Sequence, residues 1–368
     1  MTDFIKGMDI STLLEQEACG ARYFDHGKEE DMLAILKRYG VNSVRLRLWN
    51  DPYAEDGTPY GAGTNDLEKT IIMAKRAKKL GMGFLLDYHY SDFWADPGKQ
   101  TVPKAWKDYS EAELEQAVYD YTKETMEIFA KEGVAPTMVQ VGNELTNGLL
   151  WPTGKKPAFD HIAKYISAGI RGVRVVDKEV PVMIHLDNGG KNEMYREWFD
   201  NYMKRGEDFQ IIGFSYYPFW HGTLNELEYN MRDMAQRYQK ELVIAEVSMG
   251  YTMEDYAEYE KLAPSERKGM ATKAELVENL KYPMTKEGQS AFMKDIMERV
   301  AAVPGGRGFY YWEPGWIPVH GCGWATEAAL AYTGEQGPGG NEWANQALFD
   351  YEGNVLPTLE TIRDFKVR

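Results

Sequence analysis

The stretch Lys79-Leu80-Gly81-Met82-Gly83-Phe84-Leu85-Leu86-Asp87-Tyr88-His89 carries the pattern on which the whole chain is built. A segment of helical period ends at a lysine, a glycine stands where a helix C-terminus favours a left-handed residue, and a short apolar run follows and finishes on charged groups. The reading is helix, turn, buried strand, polar strand end. The same helix ending recurs at Arg38-Tyr39-Gly40 and Lys131-Glu132-Gly133, each with an apolar run a few residues on. Between the runs, Leu67, Ile71, Ala74 and Ala77 share one helical face, and Leu114, Val118, Tyr121, Thr125 and Ile128 share another.

Working outward, apolar runs of strand length occupy 4–10, 43–49, 83–89, 137–143, 181–187, 211–216, 242–247 and 308–312. Their continuous apolar character is what parallel strands covered on both faces require. No Ser/Gly/Pro linker or shift of composition interrupts the alternation, which predicts an α/β fold: a single (β/α)8 TIM barrel spanning 1–368 as one catalytic domain, with long βα-loops after strands 7 and 8.

Composition narrows the function. Lys and Arg number 42 against 57 Asp and Glu, and a net charge of −15 disfavours nucleic acid and anionic lipid as partners. No apolar run is long enough to span a membrane. Ten Trp and 24 Tyr suggest flat apolar faces of the kind that stack on sugar rings, beside the plainer reading of an aromatic-rich core. Two cysteines, Cys19 and Cys322, build neither a disulfide framework nor a multi-cysteine zinc site, and two reduced thiols are expected. The start Met1-Thr2-Asp3-Phe4 lacks the pattern of a signal peptide, so the expectation is a cytoplasmic protein, or a secreted one whose leader has been removed. A monomer is expected.

Chemistry in this fold gathers where strands end. The ends supply Asp9, then Arg45, Arg47 and Trp49, then Asp87 and His89, then Asn143 and Glu144, then His185, Asp187 and Asn188, then Tyr216 and Tyr217, then Glu246, and last Trp312 and Glu313. Val139-Gln140-Val141-Gly142-Asn143-Glu144 delivers an Asn-Glu pair from the fourth strand, and Leu242-Val243-Ile244-Ala245-Glu246 delivers a second carboxylate from the seventh. Those strands face each other across a barrel mouth. Two opposed carboxylates can flank a glycosidic bond, about 5–5.5 Å apart in retaining enzymes and roughly 6.5–9.5 Å in inverting ones. Sequence spacing does not choose between the two distances.

The pair resembles the large clan of retaining β-glycanases on this barrel. More specifically, the chain is similar to the arabinogalactan endo-β-1,4-galactanases of glycoside hydrolase family 53. The resemblance is carried by 4–11 (FIKGMDIS), 44–52 (VRLRLWNDP), 87–100 (DYHYSDFWADPGKQ), 140–144 (QVGNE) and 215–222 (SYYPFWHG), and is looser in the last third. It implies hydrolysis of β-1,4-galactosidic bonds in galactan, arabinogalactan side chains or galactooligosaccharides by double displacement. Glu246 is then the nucleophile and Glu144 the acid/base. Arg45 is placed to hold Glu246 as a carboxylate, and Asn143 to bond the sugar 2-hydroxyl.

The other expected substrate-binding residues are Asp9, His89, Asp92, Trp94, Asp187, Asn188, Tyr216, Trp312 and Trp316. His89 and Asp92 would position hydroxyls or Glu144, or fasten their own loop. Tyr216 would donate its phenol to Glu246, or pack in the core. Trp94, Trp312 and Trp316 would be stacking platforms or core, and Asp187 and Asn188 would be ligands or turn formers. Some family members carry calcium in the loop after the seventh strand. Here 251–286 has no His and no closely alternating Asp, so no metal and no cofactor are expected. Val247-Ser248-Met249-Gly250-Tyr251 also departs from the Thr-Ala/Ser-Tyr-Pro expected after the nucleophile.

Other chemistries fit less well. Gly81-Met82-Gly83 and Gly321-Cys322-Gly323 lack the rest of a phosphate-binding loop, and neither Gly-x-Ser-x-Gly nor His-Glu-x-x-His occurs. Lys6 lies early in its strand, unlike a Schiff-base lysine. The alternatives that remain are a retaining glycanase for mannan, xylan or glucan, which product analysis separates, and a non-catalytic sugar-binding barrel, which the joint presence of Glu144, Glu246, Arg45 and Asn143 argues against.

Overall fold

The computed structural model describes residues 4–263, 274–278, 280–336 and 339–367. Eight parallel strands close into a barrel: β1 Ile5–Asp9, β2 Ser43–Leu48, β3 Gly83–Tyr88, β4 Met138–Val141, β5 Val182–Leu186, β6 Ile211–Tyr216, β7 Glu241–Val247 and β8 Gly306–Trp312. Each pairs with its sequence neighbours, and β1 closes the ring on β8. Helices Met32–Arg38, Leu67–Lys79, Glu111–Lys131, Phe159–Val176, Asn192–Tyr202, Leu224–Tyr238, Lys286–Ala302 and Thr358–Asp364 follow the strands in turn. This is the expected (β/α)8 architecture. A small antiparallel ribbon, Tyr23–Asp25 with Lys28–Glu30, is added after β1.

The helix stops work as their residues dictate. Asp66 caps Leu67–Lys79 by accepting from the Lys69 amide, cations occupy the last turn, and Gly81 turns the chain at φ +66°. Gly40 and Gly133 close their helices in the same left-handed region, at φ +83° and +72°. The buried face of Glu111–Lys131 includes Leu114, Val118 and Thr125 as expected, but it is centred on Thr122, Met126 and Phe129, and Ile128 is exposed. The stripe is rotated because these residues pack toward β3, where Phe129 meets Phe84 and Thr125 bonds Tyr88.

Strand alternation sorts the barrel. Leu85, Met138, Met183, Ile211, Val243, Ala245 and Tyr310 fill the interior as a buried apolar plug, while the opposite parity of each strand packs on the helices. Continuing the inward parity toward the strand ends gives Asp9, Arg45, Arg47, Asp87, Gln140, His185 and Ser215, all at most 1% exposed. A polar layer therefore rests on an apolar floor.

Cys19 and Cys322 are free thiols. No helix among the described residues is long and apolar enough to cross a membrane. The expectation of a metal-free loop after β7 falls partly on 264–273 and 279, which lie outside the described residues.

Candidate active site

Glu144 follows β4 in the left-handed region, at φ 47° and ψ 56°. That conformation costs a non-glycine residue roughly 1–3 kcal/mol and is tolerated where surrounding contacts over-determine it. Gly142 precedes it at φ +84°, and a Cβ there would meet Leu145 Cδ2 at 2.7 Å. The tight turn lifts Glu144 out of the strand and over the barrel mouth.

Glu246 arrives by a different device. Val243 and Ala245 already point inward, so strict alternation would turn Glu246 toward the helices. The pairing of β6 with β7 slips between Phe214↔Ile244 and Ser215↔Glu246, and β8 shows a slip at the same level. This bulge re-aims the carboxylate to the inside, a use for which bulges are known beside active sites.

A carboxylate oxygen of Glu144 lies within 4.8 Å of one of Glu246. The gap is too small for the intervening water of an inverting site and close to the retaining distance. Glu246 Oε1 accepts from Arg45 Nη1 at 2.8 Å, and its Oε2 accepts from the Tyr217 hydroxyl at 2.7 Å. Arg45 is fully buried, and its Nη1 also reaches Asp9 at 2.9 Å while Nη2 reaches Asp87 and Asn143, each at 2.8 Å. Burial opposes its charge, but Asp87, Glu246 and Asp9 together raise its pKa and keep it a cation. At Asp87 burial raises the carboxyl pKa, but Arg45, His89 and Arg47 together outweigh it and lower it.

Glu144 is held the opposite way. Burial comes first, then the charges of Glu246 and Asp187, and together they push its pKa well above the ordinary value against one opposing hydroxyl, that of Ser215 at 2.6 Å. A carboxyl biased toward its protonated form therefore faces an arginine-paired carboxyl group. That asymmetry assigns acid and base roles in paired-carboxylate sites.

Above the pair opens a cleft of about 370 Å³. Of the expected residues, Glu144, Glu246, His89, Trp94, Asn143, Asp187 and Trp312 line it. Arg45 and Asp9 do not; they lie beneath it, and Asp9 spends its oxygens on Arg45, Arg47 and Ser11. His89 is committed to its surroundings, with Nδ1 accepting from Trp49 Nε1 and the Ala95 amide, both at 3.1 Å, and Nε2 on Asp87.

Four expectations are corrected. Asp92 fastens loops, accepting from the amides of Asp51 at 3.0 Å and Lys104 at 2.6 Å, away from the cleft. Trp316 is wholly buried and packs edge-on beneath Trp312, centroids 5.7 Å apart, so no sugar reaches its face. Asn188 donates to Asp187 Oδ2 and orients that carboxylate instead of lining the cleft. Tyr216 points outward, stacks on Phe292 and donates to the Gly222 carbonyl at 2.9 Å; the phenol on Glu246 belongs to Tyr217. Strand parity explains this last point, since Ile211, Gly213, Ser215 and Tyr217 fall on the inward side.

Also missed were Arg47, Trp220, Trp324 and Trp343, which line the cleft, and Ser215, which holds Glu144. Arg47 and Ser215 carry the inward parity, so alternation was a signal for them. Trp343 and Trp220 come from distant loops and meet at 6.0 Å, a pairing only the fold reveals.

Among the described residues, Glu144, His185 and Glu246 form a group with ligand-type atoms close enough to share a metal. Those atoms are already engaged. Arg45 and Tyr217 take both oxygens of Glu246, while Ser215 and Asn143 lie at 2.8 and 2.9 Å from the two ring nitrogens of His185. The cation in this cage is Arg45.

The model of the family described as Glycosyl hydrolase family 53 matches residues 5–362. An endo-beta-1,4-galactanase of Bacillus subtilis is 38% identical over 381 residues, covering 98% of this chain and 86% of the relative. A probable arabinogalactan endo-beta-1,4-galactanase A of Neosartorya fischeri is 35% identical over 322 residues, covering 85% of this chain and 84% of the relative. The solved GH53 catalytic domain of Ignisphaera aggregans superposes with a TM-score of 0.89 at 38% identity, covering 98% of this chain and 96% of that one.

Proposed function

The chain belongs to glycosyl hydrolase family 53, and from that membership and the geometry of its carboxylate pair we propose that it is a retaining endo-β-1,4-galactanase, acting as one catalytic unit, with Glu246 as nucleophile and Glu144 as acid/base. One observation carries the mechanism: an arginine-paired carboxyl group and a second carboxyl, buried and with its pKa raised, whose oxygens approach within 4.8 Å.

In the first step Glu246 Oε attacks the anomeric carbon, the bond from that carbon to the leaving oxygen breaks, and the Glu144 proton passes to that oxygen. A covalent glycosyl ester and an ionised Glu144 result. In the second step Glu144 takes a proton from water, the hydroxide attacks the same carbon from the face just vacated, and Glu246 leaves as a carboxylate. Arg45 and Tyr217 hold Glu246 in line without exchanging protons with it. Asn143 Oδ1 is bound by Arg45 and one Nδ2 hydrogen by the Ala95 carbonyl at 2.9 Å; the second is directed to the sugar 2-hydroxyl. Trp94 and Trp312 supply apolar walls for an uncharged pyranose.

Proton NMR of the first products from β-1,4-galactan tests the stereochemistry: the β-anomer is expected before mutarotation, and initial α-anomer would overturn the retaining assignment. Side-by-side digestion of galactan, mannan, xylan and cellulose tests the substrate. Galactooligosaccharides should dominate, and faster release from any other polymer would overturn the galactanase reading.

A further inference from the structure

The Ser215 hydroxyl stands between two groups that each need its single proton. Its Oγ lies 2.6 Å from Glu144 Oε1 and 2.8 Å from His185 Nε2, and all three residues are buried. A serine hydroxyl donates once. Which partner it serves depends on where the other protons are, and the surrounding network fixes them.

Arg45 has only donors, so the Asn143 atom 2.8 Å from its Nη2 is the amide oxygen. Asp87 accepts at 2.6 Å from the Gln140 amide nitrogen, which settles that amide too. His185 Nδ1 sits 2.9 Å from Asn143 Oδ1. A lone pair there would oppose the lone pairs of that oxygen, so Nδ1 carries the hydrogen. Gln140 Nε2, 3.1 Å from the same ring nitrogen, has better acceptors in Asp87 and in the Gly142 carbonyl at 3.0 Å. Burial and then Arg45 lower the His185 pKa well below the usual value, which favours the neutral ring. Its Nε2 is therefore an acceptor.

We propose that Ser215 is a positioning residue whose hydroxyl turns between His185 Nε2 and Glu144 Oε1 as Glu144 gains and loses its proton through the catalytic cycle. In the free enzyme, with Glu144 protonated, its O–H donates to Ser215 Oγ and the serine donates to Nε2; substrate binding turns that O–H to the leaving oxygen while the serine stays on Nε2. After the proton has gone to the leaving oxygen, the serine rotates and donates to the new carboxylate. No bond is made or broken in the rotation, and His185 keeps one tautomer throughout. Glu144 thus has a hydrogen-bond partner as an acid and as a base.

This rests on Glu144 as acid/base. The other groups facing Glu144 are Glu246 from β7, Asp187 from the end of β5 and Asp96 from the loop after β3. Those facing His185 are Arg45 from β2, His89 from the end of β3 and His221 from the loop after β6. All remain in place when Ser215 is replaced.

Ser215→Ala removes a hydrogen bond to a charge from the ionised state and a weaker one from the neutral state. The alkaline limb of kcat/KM should move to higher pH by about one unit, and Ser215→Thr should restore it. An unmoved limb with lowered kcat would mean a purely structural serine and overturn the proposal. Imidazole 15N NMR of the wild-type enzyme reads the rotor without any turnover. His185 should be the neutral Nδ1–H tautomer, with the Nε2 signal moving downfield as pH rises through the limb, and Glu144→Gln should abolish that movement. An Nε2–H tautomer, or an Nε2 signal indifferent to pH, would overturn it. Failure of azide to rescue Glu144→Ala would instead remove the acid/base reading, leaving the tautomer result to stand separately.

Discussion

Arg45 Nη1 lies 2.8 Å from Glu246 Oε1, and the same buried guanidinium serves Asp9, Asp87 and Asn143. A planar fork can meet four partners at once; an ammonium cannot. Arg45→Lys is therefore expected to fold with reduced stability and to lose most activity. Arg45→Met takes the arginine from buried Glu246 and Asp87 and leaves Asp9 only Arg47, at 3.4 Å. Breaking such a pair from one side costs roughly 3–5 kcal/mol, which denaturant unfolding will read. A variant as stable as the parent would show that the carboxylates are solvated and that the cage is not structural.

As the proposed acid, Glu144 must be protonated to give its proton to the glycosidic oxygen, so the alkaline limb of kcat/KM follows its raised pKa and lies above the ordinary carboxyl range. Stability has a definite sign as well. Between the unfolded carboxyl value and the raised native one, the native state holds a proton that the unfolded chain has lost, so stability from this group falls as pH rises across that window. Glu144→Gln removes the loss. Its melting temperature should gain on the parent as pH rises from the ordinary carboxyl value up to the limb and level off above it, and a constant difference across pH would refute the assignment. Glu144→Ala should regain turnover with azide on an aryl glycoside with a good leaving group, forming the β-glycosyl azide.

Two tryptophans separate binding from folding. Trp220 is 41% exposed at the cleft mouth, so Trp220→Ala should raise KM on long galactan while leaving the melting temperature near that of the parent. Trp316 is fully buried beneath Trp312, and Trp316→Ala should cost roughly 3–5 kcal/mol of stability, as large core truncations do. Equal effects of the two substitutions on both readouts would contradict their placement.

The strand frame was legible because parallel strands buried on both faces are continuous apolar runs; even the loosest boundaries, 137–143 against Met138–Val141 and 308–312 against Gly306–Trp312, are off by only two residues. Glu144 and Asn143 were legible as polar residues closing such a run. Glu246 was legible by type and not by geometry, since only the bulge in β7 turns it inward. Trp316 and Asp92 show the limit of reading strand ends and loops as a catalytic face. Both follow the right strands, yet one supports a wall from behind and the other staples loops together. The cleft wall formed by Trp220 and Trp343 joins residues more than a hundred positions apart, which no local pattern encodes.

The adjacent Tyr216 and Tyr217 give the sharpest test of the inward parity. Tyr217 donates to Glu246 Oε2 at 2.7 Å, and a hydrogen bond to a charged group is worth about 1.5–3 kcal/mol. Held into the transition state, that corresponds to a loss of roughly 10- to 150-fold in kcat for Tyr217→Phe. The loss should fall on kcat more than on KM, because the phenol orients the nucleophile and the sugar binds largely to the walls. Tyr216 donates to the Gly222 carbonyl on the far side of the strand, so Tyr216→Phe should cost about 0.5–1.5 kcal/mol in unfolding and leave kcat nearly unchanged. Steady-state kinetics and denaturant unfolding on both variants decide it. If Tyr216→Phe lost activity and Tyr217→Phe did not, the outward turn of Tyr216 and the bulge that brings Glu246 to Tyr217 would both be wrong.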